Sequence, residues 1–226
     1  MAFRIKAKTC AGVVLLTVCA LAASPQNYEV THKHLRHSGL GVLRIDERGI
    51  SFDEAGKHSR VWKYEDIQQL VLGPETLQIL SYEDNRWQLG RDRIYVFDRV
   101  PARLAIDWYP VLRTKLDARF VAALADDQAV SDWQLPVKLI HGRSGSNGVL
   151  LVGADSIVYK SAAPAESRTW RIADIENAST SDPFDLTLTT REATFRFQLK
   201  QSLPADRFQE LWMRVNQTRG LRILTR

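Results

Sequence analysis

The chain repeats itself. His34, Arg36, Gly41-Val42-Leu43, Ile50 and Phe52 recur 107 residues later as His141, Arg143, Gly148-Val149-Leu150, Ile157 and Tyr159. Trp62-Lys63-Tyr64-Glu65-Asp66-Ile67 recurs at a spacing of 108 as Trp170-Arg171-Ile172-Ala173-Asp174-Ile175. Self-similarity at a fixed spacing means one structural unit used twice. The repeat predicts domains over 28–124 and 133–226, joined by a short polar linker at 125–132.

Each copy reads as several short strands followed by one helix. Leu43, Ile45, Ile50 and Phe52 flank Glu47-Arg48-Gly49, whose glycine is expected to supply the positive φ of a tight hairpin. From Thr194 to Leu199 apolar and polar residues alternate, the period of a half-buried strand. Leu203-Pro204 then opens a helical stretch with Phe208, Leu211, Trp212 and Val215 on one face. The matching helix of the first copy carries Leu104, Trp108, Val111, Leu112 and Leu116, and its spacing continues to Phe120 and Leu124. Pro110 falls inside it, so the helix either starts near Asp107 or kinks there.

Each copy resembles the pleckstrin-homology (PH) superfold and, within it, the GRAM pattern. Gly41, Ile50/Phe52, Asp66-Ile67, Tyr95/Phe97 and Trp108/Leu112 carry the likeness in the first copy. Gly148, Ile157/Tyr159, Asp174-Ile175, Phe195/Phe197 and Phe208/Leu211/Trp212 carry it in the second. The resemblance implies a mainly β protein of two tandem PH/GRAM-like β-sandwiches, each closed by a C-terminal α-helix. It implies no ligand: inositide-binding relatives place several basic residues around the first hairpin, where this chain has Asp46-Glu47-Arg48 in one copy and none in the other.

Residues 1–22 differ from the rest. Arg4, Lys6 and Lys8 precede an apolar run, and Ala20-Leu21-Ala22 has the form of a cleavage site, the layout of a secretory signal peptide. The apolar run, Ala11 to Ala23, is shorter than the roughly 20 residues that span a bilayer. Both cysteines, Cys10 and Cys19, lie here; lipidation at Cys19 is the alternative, which would anchor an exported lipoprotein. Without the signal, 28 of the 31 basic residues remain against 26 acidic ones, a balance that excludes a polyanion binder and any nucleic-acid partner.

No catalytic constellation appears, so the chain reads as a non-enzyme without cofactor. His32, His34 and His37 are close together, but no Cys and no acid other than Glu29 stands beside them, and a metal site is not expected. Gly142 to Gly148 matches no phosphate-loop or nucleophile-elbow pattern and reads as a loop entering a strand. Trp62 and Trp170 read as core, and Asp66 and Asp174 as acceptors of backbone hydrogen bonds at a turn.

Where the copies differ is more informative. Ile67 to Phe97 spans 30 residues and Ile175 to Phe197 only 22, so the first copy carries eight extra residues near 81–90. This puts Tyr82, Arg86, Trp87, Arg91 and Arg93 together, side-chain types that dominate binding hot spots. Ile94 and Val96 alternate with Tyr95 and Phe97, an apolar strand on both faces that needs two covers. The expected function is an exported interaction module for a protein or peptide. The alternatives are an envelope component binding lipid or polysaccharide and, third, an enzyme with a site between the domains. Mass analysis of the native protein should give an amino terminus within two residues of Ala23; a chain beginning at Met1 overturns the export reading.

Overall fold

A computed structural model of the chain describes residues 26–33, 38–54, 58–85, 90–116, 119–142, 144–163 and 166–217. The signal 1–22 with Cys19, and also His34, His37, Arg86 and Trp87, lie outside the described residues.

The first half runs β1 (Gln26–Lys33), β2 (Ser38–Ile45), β3 (Gly49–Glu54), β4 (His58–Lys63), a 3-10 turn (Tyr64–Asp66), β5 (Ile67–Leu72), β6 (Thr76–Asp84), β7 (Asp92–Asp98) and α1 (Ala102–Lys115). One further strand follows α1, β8 (Arg119–Ala122). The second half then repeats the series: β9 (Trp133–His141), β10 (Ser144–Val152), β11 (Ser156–Ser161), β12 (Arg168–Arg171), a 3-10 turn (Ile172–Asp174), β13 (Ile175–Ser179), β14 (Asp185–Thr190), β15 (Thr194–Leu199) and α2 (Ala205–Gln217).

Strand order is the same in both halves, β5-β6-β7-β1-β2-β3-β4 and β13-β14-β15-β9-β10-β11-β12. Even the irregularity is repeated: the register shifts between Ile67 and Gln69 in one unit and between Ile175 and Asn177 in the other. The protein is therefore mainly β, two tandem units of the same strand order with one helix after each.

Two hydrophobic cores follow, one per unit. In the first, Trp62 stands edge-on to Tyr95 with ring centroids 4.7 Å apart and 6.1 Å from Phe97. In the second, Trp170 stands 4.8 Å from Phe195 and 6.1 Å from Phe197. T-shaped pairs of this kind use the positive ring edge against the negative face. Both indole N–H groups are buried without a hydrogen-bond partner, a shared property of the two cores. Gly41 and Gly148 are required by these cores, because a Cβ at Gly41 would come within 2.5 Å of the Phe52 ring and one at Gly148 within 2.6 Å of Tyr159.

Several local expectations are corrected. Gly49 does not have positive φ; its Cβ position is filled by the Trp62 carbonyl. The turn is made by Asp46, whose Oδ1 accepts from the N–H of Arg48 at 2.7 Å and of Gly49 at 3.1 Å. Helix α1 neither starts at Asp107 nor reaches Phe120. It begins after Pro101, runs through Pro110 and stops at Lys115, and Phe120 lies in β8. In α2 Leu211 and Val215 are buried, while Trp212 is 38% exposed. The segment from Ser144 is strand, not loop, paired to β9 around the positive-φ Gly142. Asp66 does accept from a backbone N–H, that of Lys63, but Asp174 instead binds the Arg171 guanidinium.

Trp62→Ala and Trp170→Ala should each destabilise the protein by roughly 3–5 kcal/mol, the cost of deleting a buried aromatic. Denaturant melts that show less than about 1 kcal/mol would contradict their place in the core.

Candidate functional site

The eight extra residues lie in the β6–β7 hairpin, whose strands and connection are all longer than those of β14–β15. Toward its loop end the Tyr95 hydroxyl donates to Glu83 Oε2 at 2.8 Å, and Arg60 of β4 donates to the same oxygen at 3.2 Å. The guanidinium carbons of Arg60 and Arg93 both stand 5.2 Å from the Tyr95 ring centroid, and Arg93 is 3.9 Å from Glu83. Two cations thus share one ring and one carboxylate. Burial, followed by the hydrogen bond to Glu83, pushes the Tyr95 hydroxyl up to about 12.

The second unit has a simpler version. Arg168, the repeat of Arg60, stands 5.2 Å from the Phe195 centroid and binds both oxygens of Glu192 at 2.8 and 2.9 Å. An arginine over an aromatic, held by a glutamate, is therefore a part of the fold. Arg93 and the tyrosine hydroxyl are additions of the first unit.

Of the expected binding residues, Arg93 is thus engaged within the fold, while Arg91 and Tyr82 are exposed. Arg60 was not among them; its signal was its recurrence as Arg168. On the outer face of β7, Ile94 is 59% exposed and Val96 half-buried, opposite the half-buried Leu80 and the exposed Gln78 of β6. With Tyr82, 60% exposed two residues beyond Leu80, they form an apolar strip on the hairpin.

A second region lies at the seam of the units. Strand β8 pairs in parallel with β5 from Gln69↔Arg119 to Leu72↔Ala122, but meets β12 at the single pair Thr169↔Ala122. Beyond that pair the strands part, leaving a cleft of about 260 Å³. Arg171 spans the seam: it binds Asp174 at 2.6 and 2.9 Å and donates to the carbonyls of Arg113 and Leu116, at 3.2 and 2.8 Å, at the end of α1. A cation there also suits the negative end of a helix. Thr169 donates to the Leu124 carbonyl at 2.8 Å and accepts from Asp126 N–H at 2.9 Å.

His32 is buried among Phe52, Tyr95 and Phe97, with centroids 5.4, 5.9 and 5.1 Å away. Among the described residues no three His, Cys, Asp or Glu side chains are grouped as metal ligands, and no helix is long and apolar enough to cross a membrane.

No protein-family model and no curated protein matches the sequence. Among solved structures, the chain is similar to the "C-terminal domain of an unknown protein from Leishmania infantum", at 13% identity and TM-score 0.31, over 37% of this chain and 81% of that one. It is also similar to the "Spt16D Pob3N heterodimer", at 11% identity and TM-score 0.31, over 80% of this chain and 99% of that one.

Tyr95→Phe reproduces the residue of the second unit and should cost about 1 kcal/mol, the scale of one hydrogen bond. A raised tyrosine pKa contributes stability that is complete below the unfolded value of 10 and lost as pH rises through about 12. Tyr64 and Tyr109, also raised to about 12, share that loss. Urea midpoints measured across pH 10 to 12 should therefore fall less steeply in Tyr95→Phe than in the parent; identical slopes would contradict the burial of this hydroxyl.

Proposed function

We propose that this chain is an exported, non-enzymatic binding module, GRAM-like in each repeat, that captures an extended segment of a protein partner along strand β4. One observation carries the reading: among the described residues β4 ends the sheet order with no strand beyond it, and Arg60 and Glu83 join it to the lengthened hairpin. Unpaired strand edges offer a row of backbone donors and acceptors to any extended chain. Val61 of β4 is 70% exposed and supplies an apolar contact, while Arg60 ties this edge to Glu83 of the hairpin. A strand added at β4 gains main-chain hydrogen bonds from the edge. Its side chains take their specificity from the hairpin, with Tyr82, Arg91 and, by their place in the sequence, Arg86 and Trp87 as candidate contacts.

The other edge that ends the sheet order, β13, carries no such insertion beside it. That contrast favours β4 as the docking edge.

The test is capture from an envelope fraction by the immobilised mature protein, parent against Val61→Lys and the double variant Arg86→Ala/Trp87→Ala. Val61→Lys, a change at an exposed position, should melt within about 0.5 kcal/mol of the parent, and the double variant, whose residues have no counterpart in the second unit, should still unfold cooperatively; each should lose the captured protein by at least about tenfold. Undiminished capture by both variants would sink the reading.

A further inference from the structure

We infer that the cleft between β8 and β12 is a binding site for a small carboxylate ligand with an apolar body, a site separate from the β4 edge. The cleft exists because the two strands pair at only one position, so their facing walls open instead of closing into a ladder. Leu116, Phe120 and Val121 line one wall and Trp170 the other, with the exposed Ala173 at its edge, an apolar lining beside a charged rim. Arg119, Arg171 and Arg191 form the cationic part of that rim.

The charge state of the rim decides the ligand. Its two carboxylates are already matched: Asp174 is held by Arg171 and Glu192 by Arg168. Arg171 is also fixed by two backbone carbonyls and packs 5.8 Å from the Phe120 ring centroid, so it forms a wall and is not a free clamp. Arg191 makes one loose pair with Glu176, at 3.6 Å. Arg119 is exposed and has no ion pair among the described residues. A guanidinium presents parallel N–H donors that match the two oxygens of a carboxylate. Arg119, with Arg191 also in the lining, therefore supplies the anion contact, and the apolar part of the lining accepts the remainder. The indole N–H of Trp170 is not invoked, since Trp62 has the same unpartnered group away from the cleft.

Size limits the ligand further. A volume of about 260 Å³ suits one carboxylate on one ring or short chain. It is also slightly below the usual range for sites that take drug-sized molecules.

The probe is phenylacetate, titrated by calorimetry into the mature protein, with inorganic phosphate as the bare anion. Saturable phenylacetate binding in the millimolar range is expected, about tenfold or more tighter than phosphate. Arg119→Gln should weaken it by about tenfold, and Ala173→Trp, which fills the cleft from an exposed position without removing charge, should abolish it. Circular dichroism melts of both variants should overlay the parent. Absence of saturable phenylacetate binding overturns the site, as does equal affinity in Arg119→Gln or Ala173→Trp. Phosphate binding as tight as phenylacetate overturns the role of the apolar lining. Because neither variant touches β4 or the hairpin, loss of partner capture and loss of phenylacetate are separable results.

Discussion

A seven-stranded unit of this order ends in two strands with an unpaired side, its fourth and its fifth. Backbone N–H and C=O groups on such edges need partners, either protein or water. Two copies in one chain bring four such edges: β4, β5, β12 and β13. Strand β8 deals with two of them, lying along β5 in parallel and touching β12 once. The joint between the units, the cleft beside it and the pair of outermost strands all follow from where that one strand is placed. A longer ladder with β12 would close the cleft; no ladder at all would separate the units.

The other recurring device is an arginine laid on the aromatic ring that the core tryptophan touches from the other direction. In both units it links the fourth strand to the hairpin made by the last two sheet strands, through Arg60 and Glu83 or Arg168 and Glu192. The cation shields a ring that would otherwise face solvent, and the glutamate fixes the long side chain. Once this repeated part is recognised, the additions of the first unit stand apart: a longer hairpin, a second arginine on Tyr95 and an exposed apolar strip.

Much of the fold was legible because the recurring residues have strict packing duties. Trp62 and Trp170 meet the same two rings, and Gly41 and Gly148 leave room for the same aromatic, so neither type tolerates exchange. Strand β8 was not legible. Leu112, Leu116, Phe120 and Leu124 continue the four-residue spacing of a helix face, and only pairing with β5, a contact distant in sequence, turns Phe120 into strand. Gly49 was recognised as obligatory for the wrong reason, close approach having been read as positive φ. The lengthened hairpin was visible as a difference in spacing between copies. The signal of its partner Arg60 was recurrence as Arg168, and the duty behind that recurrence shows only once the aromatic it covers is known. Arg171 stands where the first copy has Lys63, and its planar fork serves one carboxylate and two carbonyls at once, which an ammonium would not match in geometry.

The place of β8 gives the two copies different surroundings. Duplication alone leaves two halves interchangeable, but β8 lies along β5 of the leading copy through four pairs and meets the trailing copy on β12 at one. A substitution at the same position of each repeat therefore meets a different neighbour. A change tolerated on β4, which ends the sheet order among the described residues, is opposed on its counterpart β12 by the strand laid beside it.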